Sequence, residues 1–247
     1  MQNKKVIADI IIPYHDRIDL LEERLATIDQ EKFNVIVESG GTFAENCNQG
    51  ARKAITGKLI FLNDDVEIGN DLLMEMTAKK SDIVGVSQVI DDFPGVIFGL
   101  GLRFGKQKLE TFFAMNRDEL FLPSGFCFLI KRRLWESLGG FNEEFKNGHE
   151  DVDLFLRAIE ADSQFAFIDR PVKHLHSQSL GRNKNDNKNE VLFLKKWNDF
   201  RMEQLLNDAT DRLEIEEKIF KWKNLKRGID KKVRRSEERR VGKECRS

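Results

Sequence analysis

Three polar residues, Asn63, Asp64 and Asp65, come directly after the apolar run Lys58–Leu62. Such a run is typical of a buried strand in a parallel sheet, and open α/β sheets bind their ligands at the carboxyl ends of these strands. Carboxylates placed there could hold a divalent cation against a diphosphate. Asn and Asp also gather wherever a strand turns, so these residues alone leave both a plain turn and a metal-diphosphate site open.

Other polar groups follow predicted strands or precede a predicted helix. They are Pro13-Tyr14-His15-Asp16-Arg17, Glu38-Ser39-Gly40-Gly41 and His149-Glu150-Asp151. The first group stands where a dinucleotide-binding fold needs G-x-G-x-x-G, which argues against such a site, and no P-loop pattern is present. Glu150 and Asp151 are either catalytic carboxylates or helix N-terminal acids favoured by the helix dipole. His174 and His176 alternate along an extended segment and so point to opposite faces, which predicts that at most one serves the site.

The elements that must position these residues alternate along the first 90 residues. The pattern predicts strands at 6–12, 32–38, 58–62 and 83–90, and helices at 18–29, 42–56 and 71–80. This alternation favours a parallel sheet with helices on both faces. Further on, it predicts a hairpin insertion over 91–122, strands at 126–130 and 165–168, and helices at 132–138, at 152–161 and from about 189. The polar run 183–189 lacks an apolar anchor and is predicted to be a loop.

Composition narrows the class of protein. The 247 residues are 40% hydrophobic and 34% charged, which is ordinary for a soluble protein with its own core. Three widely spaced cysteines, Cys47, Cys127 and Cys245, form no C-x-x-C pair, so we expect neither a zinc site nor a disulfide framework. We expect the protein to function in a reducing compartment. The first residues do not resemble a signal peptide, and no apolar run reaches 18 residues. We therefore expect a cytoplasmic protein.

The net charge of −1 hides an asymmetry between body and tail. Residues 218–247 contain 13 Lys and Arg against 4 Asp and Glu, so the first 217 residues carry a net charge of −10. The segment 218–235 mixes these charges with aromatic side chains, which fits either a solvated helix or peripheral contact with the inner face of an anionic membrane. The acidic body argues against nucleic-acid binding. Residues 236–247 look foreign to the domain, and we interpret them as a disordered tail or as an artefact at the end of the reading frame.

Several segments in order resemble the inverting family 2 glycosyltransferases of the GT-A class. The matching segments are Ile10-Ile-Ile-Pro-Tyr-His-Asp-Arg17, Phe43-Ala-Glu-Asn-Cys-Asn-Gln-Gly50, Gly57-Lys-Leu-Ile-Phe-Leu-Asn-Asp-Asp-Val66, Pro123-Ser-Gly-Phe-Cys-Phe-Leu-Ile-Lys-Arg-Arg-Leu-Trp135, Leu138-Gly-Gly-Phe-Asn-Glu-Glu-Phe145, Gly148-His-Glu-Asp-Val-Asp-Leu154, His174-Leu-His-Ser-Gln-Ser179 and Phe193-Leu-Lys-Lys-Trp197. Each piece is weak alone, but their order and spacing agree over roughly residues 5–200. The resemblance implies a GT-A α/β domain over 1–182, with a mainly parallel sheet flanked by helices, and a helical C-terminal extension over 183–235.

The resemblance also implies roles for individual residues. Pro13 and Tyr14 would line the nucleotide pocket, and Glu38 would bond the base or ribose. Asp64 would lie beside the ribose and diphosphate, and Asn63 would bond the ribose or a metal-bound water. Glu150 would be a structural or sugar-contacting neighbour of the catalytic base. Asp65 matches the metal-binding aspartate of the D-x-D motif, and His176, or alternatively His174, a metal or diphosphate ligand. The first position of that motif is Asn63 here, which carries no charge. Asp151 matches the catalytic base.

These roles imply transfer of a sugar from a nucleotide-diphosphate sugar to a hydroxyl of a glycan, lipid-linked or protein acceptor. Mn²⁺ or Mg²⁺ would neutralise the leaving diphosphate, and a carboxylate would take the acceptor proton, with inversion at the anomeric carbon. The Q-x-x-R-W motif of processive synthases is missing from the sequence, which favours addition of one sugar per event. Two rivals remain, a sugar-1-phosphate nucleotidyltransferase and an inactive GT-A-like module that binds a glycan or partner. A nucleotidyltransferase would need a Gly-rich, basic phosphate-binding loop near the first strand, and this sequence has none. The intact Asp65 and Asp151 argue against an inactive module.

Overall fold

The computed structural model describes residues 6–91, 95–104, 109–116, 121–175 and 186–197. A seven-stranded sheet with the order β2-β1-β3-β9-β5-β10-β4 forms its centre, and a three-stranded sheet with the order β7-β6-β8 lies beside it. The strands are β1 Ala8–Pro13, β2 Phe33–Glu38, β3 Lys58–Leu62, β4 Val66–Glu67, β5 Ile83–Val89, β6 Gly99–Phe104, β7 Leu109–Ala114, β8 Phe121–Leu122, β9 Cys127–Lys131 and β10 Phe165–His174. The small sheet is the hairpin insertion that the sequence predicted.

Six helices connect these strands within the described residues. They are α1 Ile18–Thr27, α2 Phe43–Lys53, α3 Asn70–Ala78, α4 Arg132–Leu138, α5 Glu150–Glu160 and α6 Asp186–Lys196. Thr42 and Glu45 form a capping box at the start of α2, and Gly139, at φ 77°, ends α4 in the left-handed conformation. None of these helices combines the length and hydrophobicity that crossing a bilayer requires.

The central sheet is mixed, although most of its strands share one direction. β2, β1 and β3 pair in parallel, as do β5 and β10, whereas β9 pairs antiparallel with both β3 and β5. β4 is antiparallel to β10. The sequence predicted a mainly parallel sheet, and β9 is the main departure. The insertion returns the chain to the carboxyl edge of the sheet, so β9 can only run back across it, which brings residues 123–126 to that edge.

Alternating side chains on the strands build two cores, one on each face of the sheet. Ile11, Leu59 and Phe61 pack with α2, α4, α5 and α6, whereas Ile10 and Ile60 pack with α1 and α3. The two described cysteines are free and buried, one in each core: Cys47 in the first and Cys127 in the second. Burial raises the pKa of the Cys127 thiol to about 12, and it raises the pKa of the Cys47 thiol well above its ordinary value.

Helix α6 belongs to the first core. Phe193 and Trp197 are 1% exposed, and the Trp197 indole Nε1 donates to the Asp153 carboxylate at 2.9 Å. The predicted loop over 183–189 is wrong from residue 186 onwards, because Asn189 is buried and exchanges two 3.0 Å hydrogen bonds with the backbone of Lys146. The predicted segments beyond residue 197, including 218–235 and 236–247, lie outside the described residues.

Candidate active site

A cavity of about 190 Å³ opens at the carboxyl edge of the central sheet. It lies where β1, β3, β5 and β10 end and where β9 begins. Seven residues proposed from the sequence line it: Pro13, Tyr14, Asn63, Asp64, Asp65, Glu150 and Asp151. Residues that are distant in the sequence therefore meet at one edge, as the strand-end argument required.

One wall of the cavity contains a chain of three buried side chains. His174 Nε2 lies 3.2 Å from Asp65 Oδ1, and its Nδ1 lies 2.6 Å from Gln88 Oε1. The short strand β4 pairs His174 with Val66, and the Leu175 amide donates to the Asp65 carbonyl at 3.0 Å. The pairing of β4 with β10 therefore fixes the distance between His174 and Asp65.

The surroundings of the neighbouring Asp64 carboxylate disfavour its negative charge. Burial and the adjacent Asp65 together raise the pKa of Asp64 to about 6. Asn63 lines the same wall, and its Oδ1 is buried without a hydrogen bond from the described part of the chain. This wall concentrates oxygen atoms that a positively charged ligand would stabilise.

The opposite wall carries Asp151 in the first turn of α5. Its Oδ2 accepts a hydrogen bond from the Gly125 amide at 2.9 Å, and its Oδ1 accepts one from the Val152 amide at 2.8 Å. A Cβ atom on residue 125 would lie 2.9 Å from the Asp151 side chain, so only glycine permits this approach. Ser124, next to this contact, lines the cavity with a buried hydroxyl that makes no hydrogen bond within the described residues.

The loop before α5 has an unusual backbone conformation. Asn147 and His149 have positive φ values of 58° and 71°, which non-glycine residues rarely adopt. The Asn147 side chain accepts a hydrogen bond from the Phe43 amide at 3.0 Å, and the Gly148 amide donates to the buried Glu150 carboxylate. These contacts hold the loop so that Glu150 and Asp151 both line the cavity. Strained backbone of this kind clusters at functional sites.

Among the described residues, one residue proposed from the sequence, Glu38, is not brought to the cavity. Glu38 is buried at the end of β2, but Lys53 of α2 pairs with its carboxylate at 2.5 Å, and Glu38 does not line the cavity. His176 lies outside the described residues, whereas the alternative, His174, lines the cavity. Sequence reasoning gave no role to Gln88 or Ser124, which both line the cavity. Gln88 stands inside an apolar strand where no sequence pattern marks it, while Ser124 follows Pro123 in a segment already matched to the family.

The geometry of Asp65 and His174 fits a divalent ion. Two donors bound at about 2.1 Å in neighbouring octahedral positions lie about 3.0 Å apart, and the pair is separated by 3.2 Å. A carboxylate oxygen and an imidazole nitrogen are both metal ligands. No cluster of three His, Cys, Asp or Glu side chains suited to an ion occurs in the described part of the chain. Diphosphate oxygens and water could fill the remaining positions, as they commonly do around small hard cations.

Comparison with solved structures shows which known fold the chain shares. The mannosyltransferase PcManGT from Pyrobaculum calidifontis, solved with GDP-Man and Mn²⁺, superposes with a TM-score of 0.53 at 14% identity, over 87% of this chain and 67% of that chain. TarS of S. aureus superposes with a TM-score of 0.53 at 14% identity, over 83% of this chain and 43% of that chain. At these identities the likeness concerns the fold, which is that of the GT-A glycosyltransferases.

Comparison with known sequences shows to which protein family the chain belongs. The O-antigen biosynthesis protein RfbC of Myxococcus xanthus is 26% identical over 223 residues, covering 70% of this chain but only 17% of that protein. The profile described as glycosyltransferase like family 2 matches residues 10–201, which include every described residue of the cavity. Since that match extends over most of the 247 residues of this chain, the chain belongs to the family 2-like glycosyltransferases.

Proposed function

We propose that this glycosyltransferase moves a sugar from a nucleotide-diphosphate sugar to an acceptor hydroxyl, with inversion, aided by Mn²⁺ or Mg²⁺. The charge of the cavity supports this proposal most directly. Four carboxylates line it, those of Asp64, Asp65, Glu150 and Asp151, and none of its described lining residues is Lys or Arg. A donor diphosphate is itself an anion, so a cation must accompany it into such a cavity.

The donor side would be built from the ends of β1 and β3. Asp65 and His174 would hold the ion, with Asn63 and Asp64 beside it. Tyr14, at the end of β1, would line the nucleotide pocket. When bound, the ion supplies positive charge that neutralises the diphosphate as it leaves.

The acceptor side would be built around Asp151. Its carboxylate takes the proton of the acceptor hydroxyl while that oxygen bonds to the anomeric carbon. The bond between the anomeric carbon and the diphosphate oxygen breaks as the new bond forms, and its electron pair leaves with the diphosphate. Attack from the face opposite the leaving group gives inversion. Each Asp151 oxygen accepts one backbone hydrogen bond and keeps a further lone pair for the proton.

The remaining lining suits a sugar. Phe43, Leu100, Phe113 and Phe126 supply apolar surface between the two polar walls, and aromatic rings pack well against the C–H faces of sugar rings. Because RfbC is an O-antigen biosynthesis protein, we favour a glycan acceptor over a lipid-linked or protein acceptor. Single addition and the membrane contact of residues 218–235 rest on the sequence alone.

Nucleotide binding with and without metal tests the proposal. Calorimetry with GDP, UDP and GDP-mannose should show binding in Mn²⁺ that disappears in EDTA. GDP-mannose is a rational first donor because PcManGT holds it. Ligand at 100 times its dissociation constant should also stabilise the fold by about 2.7 kcal/mol. The variant Asp65→Ala should lose the metal-dependent binding, since it removes an ion ligand.

The matched control is Glu136→Ala, which removes an exposed carboxylate from α4 without touching the cavity. It should bind as wild type does. Equal nucleotide binding by wild type in Mn²⁺ and in EDTA would contradict the role of the ion. Unchanged metal dependence in Asp65→Ala would remove Asp65 from it.

A further inference from the structure

Gln88, near the end of β5, is a buried amide that the reaction described above does not use. It is 2% exposed and lines the cavity. Its backbone amide donates to the Ile97 carbonyl at 2.9 Å, and the Ile97 amide donates back at 2.9 Å. This two-way pairing fixes the backbone at Gln88, so its side chain is anchored toward the cavity.

The Gln88 side chain meets the imidazole of His174 from behind. Its Oε1 lies 2.6 Å from Nδ1, while Nε2 on the other side of the ring lies 3.2 Å from Asp65 Oδ1. The ring also stacks on Phe126, with centroids 4.8 Å apart and planes inclined by 21°. The imidazole is therefore held on its face by Phe126 and at Nδ1 by Gln88, while Nε2 faces Asp65.

The two neighbours of the His174 ring determine which of its nitrogens carries the proton. A neutral imidazole carries one N–H, while an amide oxygen and a carboxylate oxygen only accept. If the ring donates from Nδ1 to Gln88, Nε2 presents a lone pair to Asp65 Oδ1. Two lone pairs facing each other at that distance repel, and a cation bound to both atoms turns the repulsion into attraction.

We infer that Gln88 is a positioning residue that keeps the proton of His174 on Nδ1 and so presents Nε2, together with Asp65, to the divalent ion. This inference rests on the proposed function, which supplies the ion. Hydrogen bonds to the far nitrogen of a ligating histidine are a general means of fixing its tautomer and orientation. Imidazole nitrogen suits Mn²⁺ better than Mg²⁺, which prefers oxygen. A correctly oriented His174 should therefore favour Mn²⁺.

The tautomer can be measured without metal. Long-range ¹H–¹⁵N correlation spectra of the metal-free protein at pH 8 should show Nδ1 of His174 protonated and Nε2 unprotonated. The chain has only four histidines, so the ring can be assigned by substituting each in turn. The opposite tautomer, with Nε2 protonated, would overturn the inference.

Metal affinity provides the second readout. Binding of Mn²⁺ alone, followed by the electron paramagnetic resonance of the free ion, should weaken about 10- to 100-fold in Gln88→Leu. The preference for Mn²⁺ over Mg²⁺ should shrink in parallel. Gln88→Glu keeps an acceptor oxygen at the same distance, so it should retain both the tautomer and the affinity. Ser87→Ala changes the next buried residue of β5 and should behave as wild type.

The outcomes separate the two ideas. A wild-type chain that binds no Mn²⁺ in the presence or absence of nucleotide would refute the proposed function, and the inference with it. Mn²⁺ binding by wild type that Gln88→Leu leaves unchanged would refute only the role of Gln88. Equal losses in Gln88→Leu and Gln88→Glu would likewise overturn it, because the acceptor oxygen would then make no difference.

Discussion

The two walls of the cavity both carry carboxylates, but the surroundings affect the negative charge differently on each wall. On the donor side, Asp64 and Asp65 are adjacent in a turn, and burial together with the neighbouring Asp65 raises the pKa of Asp64 to about 6, which disfavours its negative charge. On the acceptor side, Asp151 receives one backbone N–H on each oxygen and lies at the N-terminus of α5. A helix N-terminus and backbone donors both favour negative charge.

The contrast separates two tasks. The donor wall concentrates charge that the protein leaves for a ligand to neutralise, which suits a site that must capture a cation with its diphosphate. The acceptor wall orients one carboxylate with the protein's own dipoles, which suits a group that must accept a proton in a fixed direction. Three substitutions test this difference.

The largest effect is expected for Asp151→Asn. The amide keeps the size of the side chain but cannot accept the proton, so turnover should fall by about 10²- to 10⁴-fold, the usual contribution of a general base. Donor affinity should stay near that of wild type, because the diphosphate is held at the other wall. Transfer rate and donor calorimetry on the same sample would measure both.

Asp162→Asn is the matched control, because it makes the same change just beyond the far end of α5 at an exposed residue. Near-normal turnover in Asp151→Asn, or a defect confined to donor binding, would show that Asp151 is not the base.

A smaller loss is expected for Gly125→Ala. The new Cβ would meet the Asp151 side chain at 2.9 Å and push the carboxylate out of line. Displacement by about 1 Å can cost about 10²-fold in rate, while Mn²⁺-dependent nucleotide binding should be unaffected. Gly57→Ala is the control, since its Cβ would meet nothing within 4 Å. If Gly125→Ala weakened nucleotide binding as much as turnover, the two walls would not be separable.

The smallest effect concerns stability. The folded-state pKa of Asp64 lies above its ordinary value of 3.8, at about 6, so the folded state binds more protons than the unfolded state between these values. This carboxylate therefore destabilises the metal-free fold above pH 6, and the penalty fades as the pH falls toward 4. In EDTA at pH 7, Asp64→Asn should raise the free energy of unfolding by about 1 kcal/mol, after allowance for solvent screening of a partly exposed group.

Urea denaturation of wild type and Asp64→Asn at several pH values would check this. The gap between the two proteins should narrow from pH 7 toward pH 4, and added Mn²⁺ should reduce it at pH 7. A gap that is constant with pH would mean that charge repulsion at Asp64 is not its cause.

Local sequence signals were sufficient for much of this structure. Apolar runs that end in polar residues correctly placed β1, β3 and β5, and they marked Asn63, Asp64 and Asp65 as one edge of a cavity. These features depend on the alternation of side chains and on where strands end, and both can be recognised within a short segment of sequence.

Features that depend on distant pairing were not predictable. Glu38 could face a ligand or a lysine, and only the packing of α2 places Lys53 on it. Gln88 becomes part of the site only because β10 lies beside β5 and brings His174 within reach. Asn189 looked like a loop residue because its partner, the backbone of Lys146, is 43 residues away. In each case the partner is remote along the chain, and periodicity does not carry that information.

The placement of one buried thiol in each core has a practical consequence. Thiol reagents attack the thiolate, and burial keeps both Cys47 and Cys127 protonated and shielded. Each becomes reactive only when its own side of the sheet opens, so the rates at which the two are alkylated would report the opening of the two faces separately. Equal rates would mean that the faces open together as one cooperative unit, and unequal rates would identify which face opens first.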